Sequence, residues 1–275
     1  MKDEVYKYNI ERWEALAKAN ALFTRPNLEL DRDSARAYLD LERLGLDMEL
    51  AGMRVLCLAS GGGQQSAAFA LLGADVTVLD ISPSQLERDK AAAEHYGATI
   101  VCVQGDMRDL SGFAEDAFDI VWHPYSLNFV PDARVVFREV ARVLREGGLY
   151  HLMCANPFFS GVTHRDWNGE GYTVKVPYED EVATSYPDQE WVYDPAEADG
   201  PIQEPREYKQ TMSRIMNGLI QEGFALGYFS EVSGWYPEAP PGSWGHFTRM
   251  APPWMEMNWI YNPMMRVSFS GLETK

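Results

Sequence analysis

Three short stretches of this chain end in residues that could hold a nucleoside. VLCLASGGGQQS, residues 55–66, runs from an apolar segment into Gly61, Gly62 and Gly63; VTVLDIS, 76–82, reaches Asp80; and VCVQGDM, 101–107, reaches Gly105-Asp106. Each is a β-branched, apolar run that stops at glycine or at a carboxylate, the pattern of buried parallel strands whose carboxyl ends bind ligands in open α/β sheets. The glycines let the backbone approach a ligand closely. Asp80, seventeen positions after Gly63, is placed to accept hydrogen bonds from both hydroxyls of a ribose, or to cap the helix that begins at Pro83. A dinucleotide fingerprint, Gly-x-Gly-x-x-Gly, is met at Gly61 and Gly63 but has Ser66 at its third position.

The elements that must position these residues follow from periodicity. Residues 4–20 read as an amphipathic helix, and a second helix is expected from Ser34, its N-cap, to Leu44, with Gly45 as the stop. Strands are expected at 53–58, 75–80, 99–104, 118–122 and 149–154, separated by helices at 66–72, from Ser82-Pro83, and from Pro131 to the Glu146-Gly147-Gly148 stop. A further helix over 206–222 precedes a strand at 224–231 and a last strand at 254–261 or 264–269. The predicted architecture is a doubly wound, mostly parallel, Rossmann-like α/β sheet with an N-terminal helical lid and a cap inserted after strand 5. The expected divisions are a lid (1–50), a ligand-binding core (51–154), an acidic and aromatic cap (155–205) and the remainder of the sheet with a tail (206–275).

Composition narrows the function classes. A chain of 275 residues, 46% hydrophobic and 24% charged, is that of a globular protein. Neither a bilayer-spanning run nor the apolar core of a secretory signal is read, so a cytoplasmic protein without a membrane partner is expected. Cys57, Cys102 and Cys154 all fall in predicted strands, which suggests reduced core thiols and no metal site. The net charge of −17, without a cluster of Lys and Arg, argues against nucleic acid as partner.

The spacing Cys57-x-Ala59-x-Gly61-x-Gly63 resembles the acidic-x-Gly-x-Gly-x-Gly loop of the class I S-adenosylmethionine-dependent methyltransferases. Cys57 replaces the usual carboxylate and Ala59 the first glycine, a change that is tolerated if φ at Ala59 stays negative. The resemblance runs from about Asn9 to Gly234 and is strongest between Val55 and Cys154. It implies S-adenosylmethionine as cofactor and S-adenosylhomocysteine as product. Cofactor contacts are then implied at Ala59, Ser60, Gly61, Gly63 and Gln64, at Asp80, Ile81 and Ser82, and at Asp106 and Met107. Asp106 would meet the adenine amine and Met107 the ring face, where a polarizable thioether packs well. His123, in Trp122-His123-Pro124-Tyr125, would face the transferable methyl, either as a general base or through its backbone alone. This segment partly resembles the Pro-Pro-Tyr motif of amino-group methyltransferases.

The function so implied is methyl transfer to nitrogen or oxygen of a small molecule, an amine or an aromatic compound. Tyr8, Trp13 and Phe23 are candidate lid residues. Trp167, Tyr172, Tyr178, Tyr186, Trp191 and Tyr193 in the cap, with Trp235, Tyr236, Trp244 and Trp254 later, could hold a cationic or aromatic ligand or simply pack on the sheet. Three other readings share parts of the pattern. A methyltransferase acting on RNA shares every cofactor motif, but the net charge of −17 and the lack of a basic face oppose it. A nicotinamide-dependent oxidoreductase would use Asp80 but does not account for Ser66 and Asp106. An interaction module could keep the fold while Cys57 and Ala59 abolish cofactor binding. Nothing in the sequence sets the oligomeric state.

Overall fold

In the computed structural model, residues 3–46, 48–188, 192–234 and 236–268 are described. Trp191 and Trp235, two of the aromatic residues expected to contact a ligand, lie outside them. The chain opens with helix α1 (Glu4–Lys18), whose first turn is capped by the Asp3 side chain. Helix α2 (Arg32–Tyr38) starts earlier than expected because Asp31, not Ser34, is the cap; the Ser34 hydroxyl instead completes a capping box with Asp31.

Then strands and helices alternate: β1 (Arg54–Leu58), α3 (Gln65–Leu71), β2 (Asp75–Asp80), α4 (Pro83–Tyr96), β3 (Ile100–Gln104), β4 (Phe118–His123), α5 (Ala133–Val143) and β5 (Leu144–Ala155). Ser82 caps α4 and Pro83 occupies its first turn, as the sequence predicts. α5 ends at Val143 rather than at the glycines. Gly147 and Gly148 fall inside β5, where the register with β4 shifts between Phe118 and Ile120. Glycine here serves a bulge in a strand, a use that a Gly-Gly pair does not distinguish from a helix stop.

The later chain contributes a short hairpin, β6 (Ala183–Thr184) with β7 (Glu207–Tyr208), then α6 (Met212–Gln221), β8 (Phe224–Val232), α7 (Trp244–Met250) and β9 (Trp254–Tyr261). The helix expected over 206–222 therefore begins at Met212, capped by Thr211, and its first residues are strand. The main sheet has the order β3-β2-β1-β4-β5-β9-β8, with β9 antiparallel to both neighbours and the other pairs parallel.

Strand alternation divides the core. Leu56, Leu58, Val121 and Tyr150 face α5 and α6, while Val55, Cys57, Val78 and Trp122 face α3. Cys57 and Cys154 are fully buried free thiols. The carboxyl ends of β1, β2, β3 and β4 come to one edge, the place where a doubly wound sheet offers a crevice.

Candidate active site

The glycine loop leaves β1 under strain. Ala59 adopts φ +47°, in the left-handed region, so the expectation of a negative φ is overturned. Its N–H is held by the Leu79 carbonyl at 2.7 Å, which fixes the loop against β2. Gly61 N–H donates to Asp80 Oδ2 at 2.8 Å, and a Cβ on Gly61 would lie 2.9 Å from the Asp80 carboxyl carbon. Only glycine lets loop and carboxylate approach this closely.

Gly62 and Gly63 turn their N–H groups away from the cavity, to Asp89 of α4 at 2.9 and 3.0 Å, and Ser66 Oγ donates to the same carboxylate. Gly63 thus grips the loop from behind and does not line the cavity, a correction to its expected role as a cofactor contact. Asp89 is one group that the sequence does not reveal. An acid in mid-helix looks like solvent-facing surface, yet it is fully buried. Burial pushes its carboxyl up to about 7 against the opposing pull of Ser66 and the loop amides.

Asp80 is also buried, and burial raises it to about 6 although Ser82 and Gly61 N–H groups donate to it. Both its oxygens are thus engaged by amide donors, Oδ2 by Gly61 and Oδ1 by Ser82, with Ile81 N–H also contributing. Ser82 does not line the cavity. It caps α4 and donates to Glu14 of α1, which also accepts from Ser84. Asp106 accepts from Arg108, with a shortest contact of 2.6 Å, and Arg108 reaches on to Asp3 at 2.7 Å, tying the start of α1 to the end of β3.

Ala59, Ser60, Gly61 and Gln64 line one cavity of about 550 Å³. Asp80, Ile81, Asp106 and Met107 line it too. Trp13 and Phe23 close it from the N-terminal segment, whereas Tyr8 sits outside it beneath Arg206 and donates to the Glu204 carbonyl. Of the cap aromatics in the described residues, Tyr186 reaches the cavity, and from the later chain so do Trp244 and Trp254. Trp167 and Tyr172 instead pack with His246.

His123 requires a further correction. Its side chain belongs to the core side of β4, fully buried, with Nδ1 2.9 Å from the Tyr150 hydroxyl, and it does not line the cavity. Burial holds its imidazole down to about 3, so it stays neutral. The next residues, Pro124, Tyr125 and Ser126, are the ones that face the cavity.

A second buried carboxylate, Glu207 on β7, completes the wall. It accepts from Tyr186 at 2.6 Å and from Tyr125 at 3.3 Å. Sequence reading placed Glu207 in the first turn of a helix, in a region where acids are common enough to pass as solvated. The stretch Arg206-Glu207-Tyr208 before Thr211, a good cap, was the available signal for a strand.

A doubly wound sheet whose glycine loop, Asp80 and Asp106 converge on one cavity has the form in which α/β proteins bind nucleosides. Comparison with known proteins narrows this: residues 56–152 match the family described as a methyltransferase domain. Residues 56–152 thus carry a methyltransferase domain. The chain is 47% identical over 108 residues to the uncharacterized methyltransferase YbaJ of Bacillus subtilis, covering 39% of this chain and 42% of that protein. It is 33% identical over 116 residues to a ubiquinone biosynthesis O-methyltransferase of Xanthomonas euvesicatoria, covering 42% of this chain and 48% of that one. The chain thus spans about half the length of these curated relatives. In fold it is similar to a putative S-adenosylmethionine-dependent methyltransferase from Listeria monocytogenes, with a TM-score of 0.64 at 17% identity over 83% of this chain and 98% of that one. Among the described residues no helix is long and apolar enough to cross a membrane.

Proposed function

We propose that this protein transfers a methyl group from S-adenosylmethionine to nitrogen or oxygen of a small molecule, in the cytoplasm. The observation that carries the proposal is the convergence of the glycine loop, Asp80 and Asp106-Met107 on a single cavity within a methyltransferase domain. The residues present fit the cofactor. Ser126 and Gln85 line the same cavity, and their buried Oγ and Oε1 have no hydrogen-bond partner among the described residues, as expected beside a site for a polar ligand. When bound, the cofactor supplies a methyl already activated on a sulfonium.

The protein's own task is then to bind, orient and exclude water. Asp80 would accept the ribose hydroxyls, Asp106 the adenine amine alongside Arg108, and Met107 would pack on the ring. Trp13 and Phe23 from the lid, with the cap, would close the cavity over the reactants. Free, buried thiols at Cys57 and Cys154 support a reducing workplace.

Calorimetric titration with S-adenosylmethionine, S-adenosylhomocysteine and, as control, NADH tests this reading. Micromolar binding of the first two and none of the third is expected. Absence of binding by either would leave an interaction module with a methyltransferase fold; binding of NADH alone would favour the oxidoreductase. Asp80→Ala should loosen S-adenosylhomocysteine by about 1.5 kcal/mol, roughly tenfold, the value of hydrogen bonds to a charged group. Unchanged affinity in a folded variant would overturn the ribose assignment.

A further inference from the structure

Four separate elements bring Glu207, Tyr125, Tyr186 and Trp254 to the same stretch of cavity wall. Glu207 lies on β7 and Tyr125 just beyond β4; Tyr186 follows β6, and Trp254 opens β9. The Glu207 carboxylate is 3% exposed, and its hydrogen-bond donors are two neutral hydroxyls. Among the described residues no ion pair reaches it. The two arginines lining the cavity are engaged elsewhere, Arg12 with Asp188 at 2.7 Å and Arg108 with Asp106 and Asp3.

A buried carboxylate with its hydrogen bonds met but no ion pair is costly, because desolvation is only partly repaid by Arg12, which acts on it through space while paired with Asp188. Its surroundings are aromatic: the Tyr125 ring meets Trp254 edge to face at 6.5 Å between centroids. Tyr125 is itself held at φ +41°, a conformation that L residues rarely adopt and that tends to persist where the surroundings impose it at functional sites. A lone carboxylate among aromatic faces matches a cation with apolar flanks. An anionic acceptor would find no uncommitted arginine at this wall.

We propose that Glu207, framed by Tyr125, Tyr186 and Trp254, recognises the ammonium group of an amine acceptor that has an apolar body. The acceptor role rests on the methyl-transfer reading above; the recognition of the ammonium does not.

The test compares probes that share a phenylethyl body, in the protein saturated with S-adenosylhomocysteine: 2-phenylethylamine, 2-phenylethanol and 3-phenylpropionate, titrated by calorimetry. The amine is expected to bind at least about tenfold more tightly than the alcohol, the worth of a charge-assisted contact, and the carboxylate more weakly than both. Glu207→Gln should bring the amine to within about twofold of the alcohol while S-adenosylhomocysteine affinity stays unchanged and the melting temperature does not fall. Binding of the amine no tighter than the alcohol, including no binding of either, overturns the proposal, as does undiminished amine binding in folded Glu207→Gln. If that variant does not fold, the wild-type comparison of amine with alcohol decides alone. If S-adenosylhomocysteine fails to bind, the same titrations on the unliganded protein separate the two readings: amine selectivity would survive the loss of the methyl-transfer reading.

Discussion

Ala59 and Asp80 show how much of this site is set by single residues. A left-handed alanine costs roughly 1–2 kcal/mol relative to its relaxed backbone, while glycine in its place loses about 0.5–1 kcal/mol of chain entropy. Ala59→Gly should therefore stabilise the protein by up to about 1 kcal/mol, read as a higher urea midpoint at unchanged slope; a lower midpoint would contradict the strain at this position. Asp80 carries a pH signature. Its carboxyl stands at about 6, raised chiefly by burial, and only the ionised form accepts two ribose hydroxyls. Binding must then lower that value, so S-adenosylhomocysteine affinity is full above pH 6 and falls about tenfold per unit as pH drops below it. Titrations from pH 7.5 to 5 should show this slope, and Asp80→Asn should flatten it; a slope surviving in that variant would place the titrating group elsewhere, with Asp89 the first suspect. His123 makes the opposite case. A neutral imidazole locked to Tyr150 contributes packing, so His123→Ala should cost about 1–3 kcal/mol in denaturant unfolding, while turnover of the folded protein changes little. A large loss of turnover at unchanged stability and cofactor affinity would restore it as a base.

Elements place these residues, and here the sequence was legible where pattern and function coincide. β1, β2 and β3 are apolar runs that end in or just before the site residues, so period and chemistry point to the same positions. Ser82-Pro83 marks the start of α4 by capping chemistry alone. What stayed hidden depends on partners distant in the chain. Asp89 and Glu14 lie on helices where an acid is ordinary, and only the packing of α4 under the loop and of α1 over Ser82 and Ser84 shows their work. Glu207 was obscured by a strand of two residues, too short for any period to register. The attachment of α1 has a measurable consequence. Glu14 accepts from both serines, and Arg108 bridges Asp3 to Asp106, so the helix is fastened over the cavity at both ends. Glu14→Ala removes one fastening at a part-buried site. Release of S-adenosylhomocysteine, followed by stopped-flow tryptophan fluorescence, should accelerate about tenfold with little change in global stability, since local opening draws on a smaller free energy than unfolding. An unchanged release rate would mean that α1 does not gate the cavity.

At the scale of the whole molecule, the matched methyltransferase domain does not contain the whole of its own sheet. Residues 56–152 contain β2 to β4 and most of β1 and β5, yet the sheet continues through β9 and β8, and β8 pairs with β9 alone. β9 inserts antiparallel beside β5, placing Met255, Met257 and Trp259, all fully buried, in the same core as Phe137 and Tyr150. The same strand begins with Trp254 at the cavity, so the element that completes the core also completes the wall facing Glu207. Removing one large buried side chain costs about 2–5 kcal/mol, and three together are comparable to the roughly 5–15 kcal/mol that holds a typical domain folded. A chain cut after Pro253 loses those three and strands β8 without a neighbour. Its urea transition, followed by far-ultraviolet circular dichroism, should lose cooperativity or shift to near zero denaturant. A cooperative transition at the full-length midpoint would show that the parallel half folds by itself and that β9 serves the cavity wall alone.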